Sequence, residues 1–65
     1  MKLLRYEPIS QGVWAAVVTI PLVPGKEMTL DRGFFERHIA MFDRGDDLDK
    51  GTIDKMREIL AGWPK

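Results

Sequence analysis

Histidine is the side chain best suited to acid–base chemistry near neutral pH, and this sequence holds one, His38. Its neighbours one helical turn away are Phe34 and Phe42, and no serine, cysteine or second histidine lies at a useful spacing. Ser10 is the sole serine and cysteine is absent, so nucleophilic catalysis lacks its players. His38 reads as a partly buried residue at the edge of a core stripe. The sequence argues against an enzyme and calls for no cofactor.

Aspartates crowd the stretch Asp43, Asp46, Asp47, Asp49 and Asp54, and Asp49-Lys50-Gly51-Thr52-Ile53-Asp54 has the flavour of a calcium loop. Spacing goes against it. With Gly51 as the turn glycine and Ile53 as the apolar position, Asp46 becomes the first ligand. Leu48 and Lys50 then occupy the next two ligand positions, and Arg57 stands where a bidentate glutamate belongs. The bland alternative is a solvated connector whose aspartates favour turns and helix starts. Calcium binding is the third-ranked reading.

Nucleic-acid binding needs a basic face. Ten basic residues are balanced by ten acidic ones, so no net field steers the chain toward nucleic acid or an anionic membrane. Arg32 and Arg37 do not line up on one helix face, and Lys55 and Arg57 sit beside Asp54 and Glu58. A β-ribbon reader with Lys2, Arg5 and Lys26 at the sheet ends is the second-ranked reading.

The apolar residues carry the leading one. Gly12–Leu22 reads as a strand that is apolar on both faces, with Trp14, Ala16, Val18, Ile20 and Leu22 on one side. Val13, Ala15, Val17 and Thr19 are on the other. A 65-residue chain with no disulfide has little material to cover both sides. The row Val13, Ala15, Val17 is small and flat, suited to a second sheet or helix. Tyr6, Trp14 and Trp63 are residue types that anchor interfaces. For Trp14 and Trp63 the competing role is core packing.

Positioning falls to a few short elements. Lys2–Glu7 is a first strand ended by Pro8, with Pro8–Gly12 as a hairpin connection. Pro24 and Gly25 within Val23–Lys26 have the make-up of a type II turn, which folds Glu27–Leu30 back as a third strand. Leu30–Asp43 has the periodicity of a helix capped by Thr29 or Asp31, with its stripe Phe35, Ile39 and Phe42 facing the Trp14 row. Thr52 caps a second helix, Ile53–Ala61, stopped by Gly62 and Pro64.

The fold expected is α+β over residues 1–65 as one small domain. It is a small antiparallel β-hairpin or three-stranded meander followed by two α-helices packed on one sheet face. No apolar run reaches the length of a membrane span, and no cleavage site follows the basic start, which points to the cytoplasm. The function expected is a non-enzymatic interaction module, a small regulator, inhibitor or accessory subunit. It binds a partner protein or itself as a homodimer, through Tyr6, Val13, Trp14, Ala15, Val17 and Trp63.

Overall fold

The computed structural model describes residues 1–20 and 25–65. Strands β1 (Lys2–Ser10), β2 (Val13–Thr19) and β3 (Glu27–Asp31) precede helices α1 (Arg32–Asp43) and α2 (Lys50–Ala61). The strands form one antiparallel sheet in the order β1-β2-β3, so the architecture is the expected α+β meander followed by two helices.

Register explains which residues face the helices. Leu3 and Met28 flank Val18, while Tyr6 and Leu30 flank Ala16, giving two apolar rungs across the sheet. On these rungs Ala16 and Val18 are buried together with Phe35 of α1 and Ile53, Met56 and Ile59 of α2. Both helices therefore lie on this face. Ile39 and Phe42 continue the α1 stripe onto the same core, as their helical spacing predicts.

The opposite face alternates differently. Lys2 and Glu27 flank Thr19, Arg5 and Thr29 flank Val17, and Glu7 and Asp31 flank Ala15. Among the described residues no helix or strand lies over it.

Several boundaries differ from those read in the sequence, each for a local reason. β1 runs through Pro8 to Ser10 instead of stopping at Glu7. It is an edge strand and its pairing shifts between Pro8 and Ser10, and edges and bulges are the two settings in which a sheet tolerates proline. The hairpin connection shrinks to Gln11 and Gly12, with Gly12 at φ +73°, where an L side chain would be strained. β2 ends at Thr19 rather than Leu22. Leu22 and the Val23-Pro24 half of the expected turn lie outside the described residues, while Gly25 has φ +82°.

α1 starts two positions after Leu30 because Asp31 is the cap: its Oδ1 accepts the Phe34 N–H at 2.8 Å. α2 starts at Lys50, ahead of the predicted Thr52 cap. Asp49 takes that role, accepting both the Thr52 N–H (2.8 Å) and the Thr52 hydroxyl (2.9 Å) through Oδ2. A carboxylate is the stronger acceptor at the positive end of a helix, so the earlier residue wins. Gly62 closes α2 as expected.

Those two bonds from Thr52, the backbone one first, hold the Asp49 carboxyl below its ordinary pKa. Its contribution to stability is complete above the unfolded-state value and is lost as pH falls through the lowered folded value. Asp49→Asn keeps an acceptor but removes the titration. Its urea midpoint is expected to fall less than the native one as pH drops from about 5 to about 2. Identical acid limbs for the two proteins would contradict this role.

Candidate functional site

His38 and four of the five connector aspartates have structural tasks in the fold. The His38 Nδ1–H donates to the Phe34 carbonyl at 2.8 Å, since a carbonyl only accepts, and the imidazole lies 4.2 Å from the Phe34 ring centroid. The aspartates of the connector are drawn apart. Asp43 pairs with Arg57 at 2.8 Å, Asp46 with Arg44 at 3.5 Å, Asp54 with Lys50 at 2.8 Å, and Asp49 caps α2. Among the described residues no three His, Asp or Glu side chains gather as a metal-binding group.

Lys2 and Arg5 share the helix-free face with Glu7, Glu27 and Asp31, and Arg5 is tied to Glu27 at 3.2 Å. That face is more acidic than basic, so it presents nothing like a ribbon of cations to a phosphate backbone.

The Arg5–Glu27 pair also corrects the central expectation about the sheet. Arg5 belongs to β1 and Glu27 to β3, so their contact passes over β2 beside Val17 and Thr19. Ala15 and Val17 are each only 1% exposed, although no helix covers them. Both are short side chains on the middle strand, sunk between the longer side chains of the two edges. As an ion pair the contact is half exposed at both ends and worth roughly 0–1 kcal/mol. Its register carries it from beside Val17 to beside Thr19, and aliphatic stems of such a pair exclude water from the short side chains beneath. Ala15 and Val17 therefore offer no accessible surface to a partner.

Tyr6 and Trp63 belong to the core seam. Tyr6 donates its hydroxyl to the Ile59 carbonyl at 2.6 Å, and burial pushes its pKa up, so it remains a donor. Trp63 meets the Tyr6 ring edge-on at 5.5 Å and the Phe35 ring at 5.8 Å. Of the two roles open to Trp63, core packing is the one its contacts fulfil.

Trp14 has the opposite fate. It is half-buried and stands outside the core cluster. Together with Val13 it walls an open groove of about 480 Å³ between the hairpin, the start of α1 and Trp63-Pro64-Lys65. Val13 is 47% exposed, and Ile9, unpaired at the bulge across from it, is 53% exposed. These two and Leu4 are the large apolar side chains most open to water among the described residues.

Of the expected interface residues, Val13, Trp14 and Trp63 thus line one groove at the hairpin end, Ala15 and Val17 are buried, and Tyr6 is engaged with Ile59 and Trp63. Ile9 is the member that the sequence did not flag, because Pro8 before it looked like the end of a strand. No known family model matches this chain, and no curated protein or solved structure matches it. Among the described residues no helix is long and apolar enough to cross a membrane.

Proposed function

We propose that the chain is a non-enzymatic interaction module, a small regulator, inhibitor or accessory subunit, that docks a partner protein through the hairpin end of its sheet. One observation carries the reading. Ile9 and Val13 remain about half exposed beside Trp14, a tryptophan that stands outside the core cluster. Exposed apolar side chains clustered with an unspent aromatic are the composition of an interface centre, where tryptophan is enriched.

The surface differs from the one expected from the sequence. A homodimer seated on Val13, Ala15 and Val17 has only Val13 to use, and the Arg5–Glu27 pair stands in its way. Strand addition along β1 is opposed by its two register shifts and Pro8, devices that blunt sheet edges. Docking on the side chains of the hairpin end requires neither new strand pairing nor displacement of that ion pair.

Site-resolved photocrosslinking in the native host tests this. A photoreactive residue at Ile9 or Val13 is expected to give one discrete adduct, re-formed by the purified partner and lost on Trp14→Ala. Positions Thr29, on the helix-free face, and Ala40, exposed on α1, should give none. Adducts from Thr29 or Ala40 but not from the hairpin end would contradict the reading.

A further inference from the structure

The groove beside Trp14 has a chemical bias that narrows the partner. Its apolar walls are Val13, Trp14, Trp63 and Pro64, and two of its rim residues, Arg32 and Lys65, are cationic. Arg32 is held only by Glu36 at 3.7 Å, with both side chains more than half exposed, a contact that leaves most guanidinium donors for another acceptor. Lys65 forms no ion pair among the described residues.

A third cation lies beside Gly33. Gly33 forms part of the groove wall, and Arg37 Nη1 lies 3.0 Å from where a Cβ at Gly33 would stand. The missing side chain is what lets this guanidinium fold over the start of α1, and Arg37 too has no acidic partner among the described residues. The one acidic side chain in the lining is Asp31, whose Oδ1 is occupied by the Phe34 N–H. A net-neutral chain has therefore placed two weakly committed cations in the lining of an aromatic cleft, with a third, Arg37, against its Gly33 wall.

Resting on the docking reading above, we propose that this groove receives a short acidic segment of the partner protein. One apolar side chain of the segment lies on Trp14 and Trp63, and its carboxylates meet Arg32, Arg37 and Lys65. The cleft is open to solvent, which suits a surface-bound peptide better than an enclosed small molecule. Guanidinium forks recognise carboxylates two-pronged, and stacking on tryptophan supplies the area that charge alone lacks. A free pair of charges at a solvated rim gives selectivity more than affinity, so binding by a short probe is weak and salt-sensitive.

The test uses the full chain and three capped seven-residue peptides, each with a central phenylalanine flanked by three glutamates, three lysines or three glutamines on either side. Amide and indole NMR signals report the site. The glutamate peptide is expected to move the Trp14 and Trp63 indole signals and the Gly12 and Gly33 amides saturably. Raising salt from about 0.05 to 0.5 M should weaken it about tenfold, and the lysine peptide should leave these signals in place. Arg32→Glu with Lys65→Glu, both exposed positions, should keep the spectrum dispersed and reverse the preference toward lysine. Equal shifts from the glutamate and glutamine peptides overturn the acidic preference and leave hairpin docking standing. No groove shift from any peptide, or tighter binding of a single-stranded oligonucleotide at the same signals, overturns the proposal. Docking itself fails separately, on the crosslinking pattern.

Discussion

Phe35→Ala is expected to remove between about a third and all of this protein's stability. Phe35 is fully enclosed, between Ala16 and Val18 of the sheet and Ile53, Met56 and Ile59 of α2, with its ring edge-on to Phe34 and Trp63 at 5.7 and 5.8 Å. It is the residue through which α1, α2 and the sheet all meet. Truncating such a phenylalanine costs about 3–5 kcal/mol, part lost burial and part cavity. A chain of 65 residues has a total stability of about 3–10 kcal/mol, and no disulfide limits its unfolded state. The change takes at least about a third of that margin and, at its lower end, all of it. In thermal melts followed by circular dichroism the variant should melt more than about 10 °C below the native chain or show no transition, whereas Phe35→Leu, which keeps most of the volume, should stay closer to it. A Phe35→Ala protein melting within about 5 °C of the native chain would mean that the core is organised around some other residue.

Gly62→Ala is the second large effect, and its cause is steric. Gly62 has an ordinary φ of −94°, so alanine fits the backbone there. What stands in the way is the Tyr6 hydroxyl, 2.8 Å from the position a Cβ would take. Tyr6 has little room to withdraw. Its hydroxyl donates to Ile59 at 2.6 Å and its ring is in edge contact with Trp63 at 5.5 Å. Overpacking at such a site costs about 1–3 kcal/mol, with the hydrogen bond at stake as well. Tyr6→Phe alone should cost about 1 kcal/mol for the lost bond. In the Tyr6→Phe background, however, Gly62→Ala should be nearly neutral, because the next atoms lie at 3.8 Å, an ordinary contact distance. Urea denaturation of the four proteins measures the coupling, expected at about 1–3 kcal/mol. Additive costs would contradict the account of the seam between β1 and the end of α2.

The elements of this fold were legible because their local signals agree. β3 alternates Glu27, Thr29 and Asp31 with Met28 and Leu30, and α1 and α2 carry apolar stripes between aspartate caps and a glycine stop. The boundary errors arose where two signals compete. Pro8 reads as a strand end until the strand is known to be an edge with a bulge, and Thr52 reads as a cap until Asp49 is seen to reach it.

The larger misreading concerned β2. Its sequence is apolar on both faces, and from that strand alone the Val13, Ala15, Val17 row looks uncovered. The cover comes from neighbours whose identity depends on register. A shift between Leu3 and Arg5 puts Arg5 opposite Val17, and β3 puts Glu27 within its reach. Strict alternation from Leu3, without that bulge, would set Arg5 on the same face as Leu3. Trp14 and Trp63 were each open to two roles, since both are large aromatics next to turn residues. Their fates separate only because the chain after Gly62 brings Trp63 against Tyr6 and Phe35, leaving Trp14 at the rim.

The docking assignment depends on where water reaches the apolar residues of β1 and β2, and solvent paramagnetic relaxation of assigned methyl and indole signals measures that directly. With a neutral gadolinium chelate, the Ile9 and Val13 methyls are expected to relax strongly, and the Ala15 and Val17 methyls weakly. Arg5→Ala should raise the rate at Val17 while leaving Val13 unchanged. Ala15 and Val17 relaxing as fast as Val13 in the native protein would contradict the account and return the sheet face as the open surface.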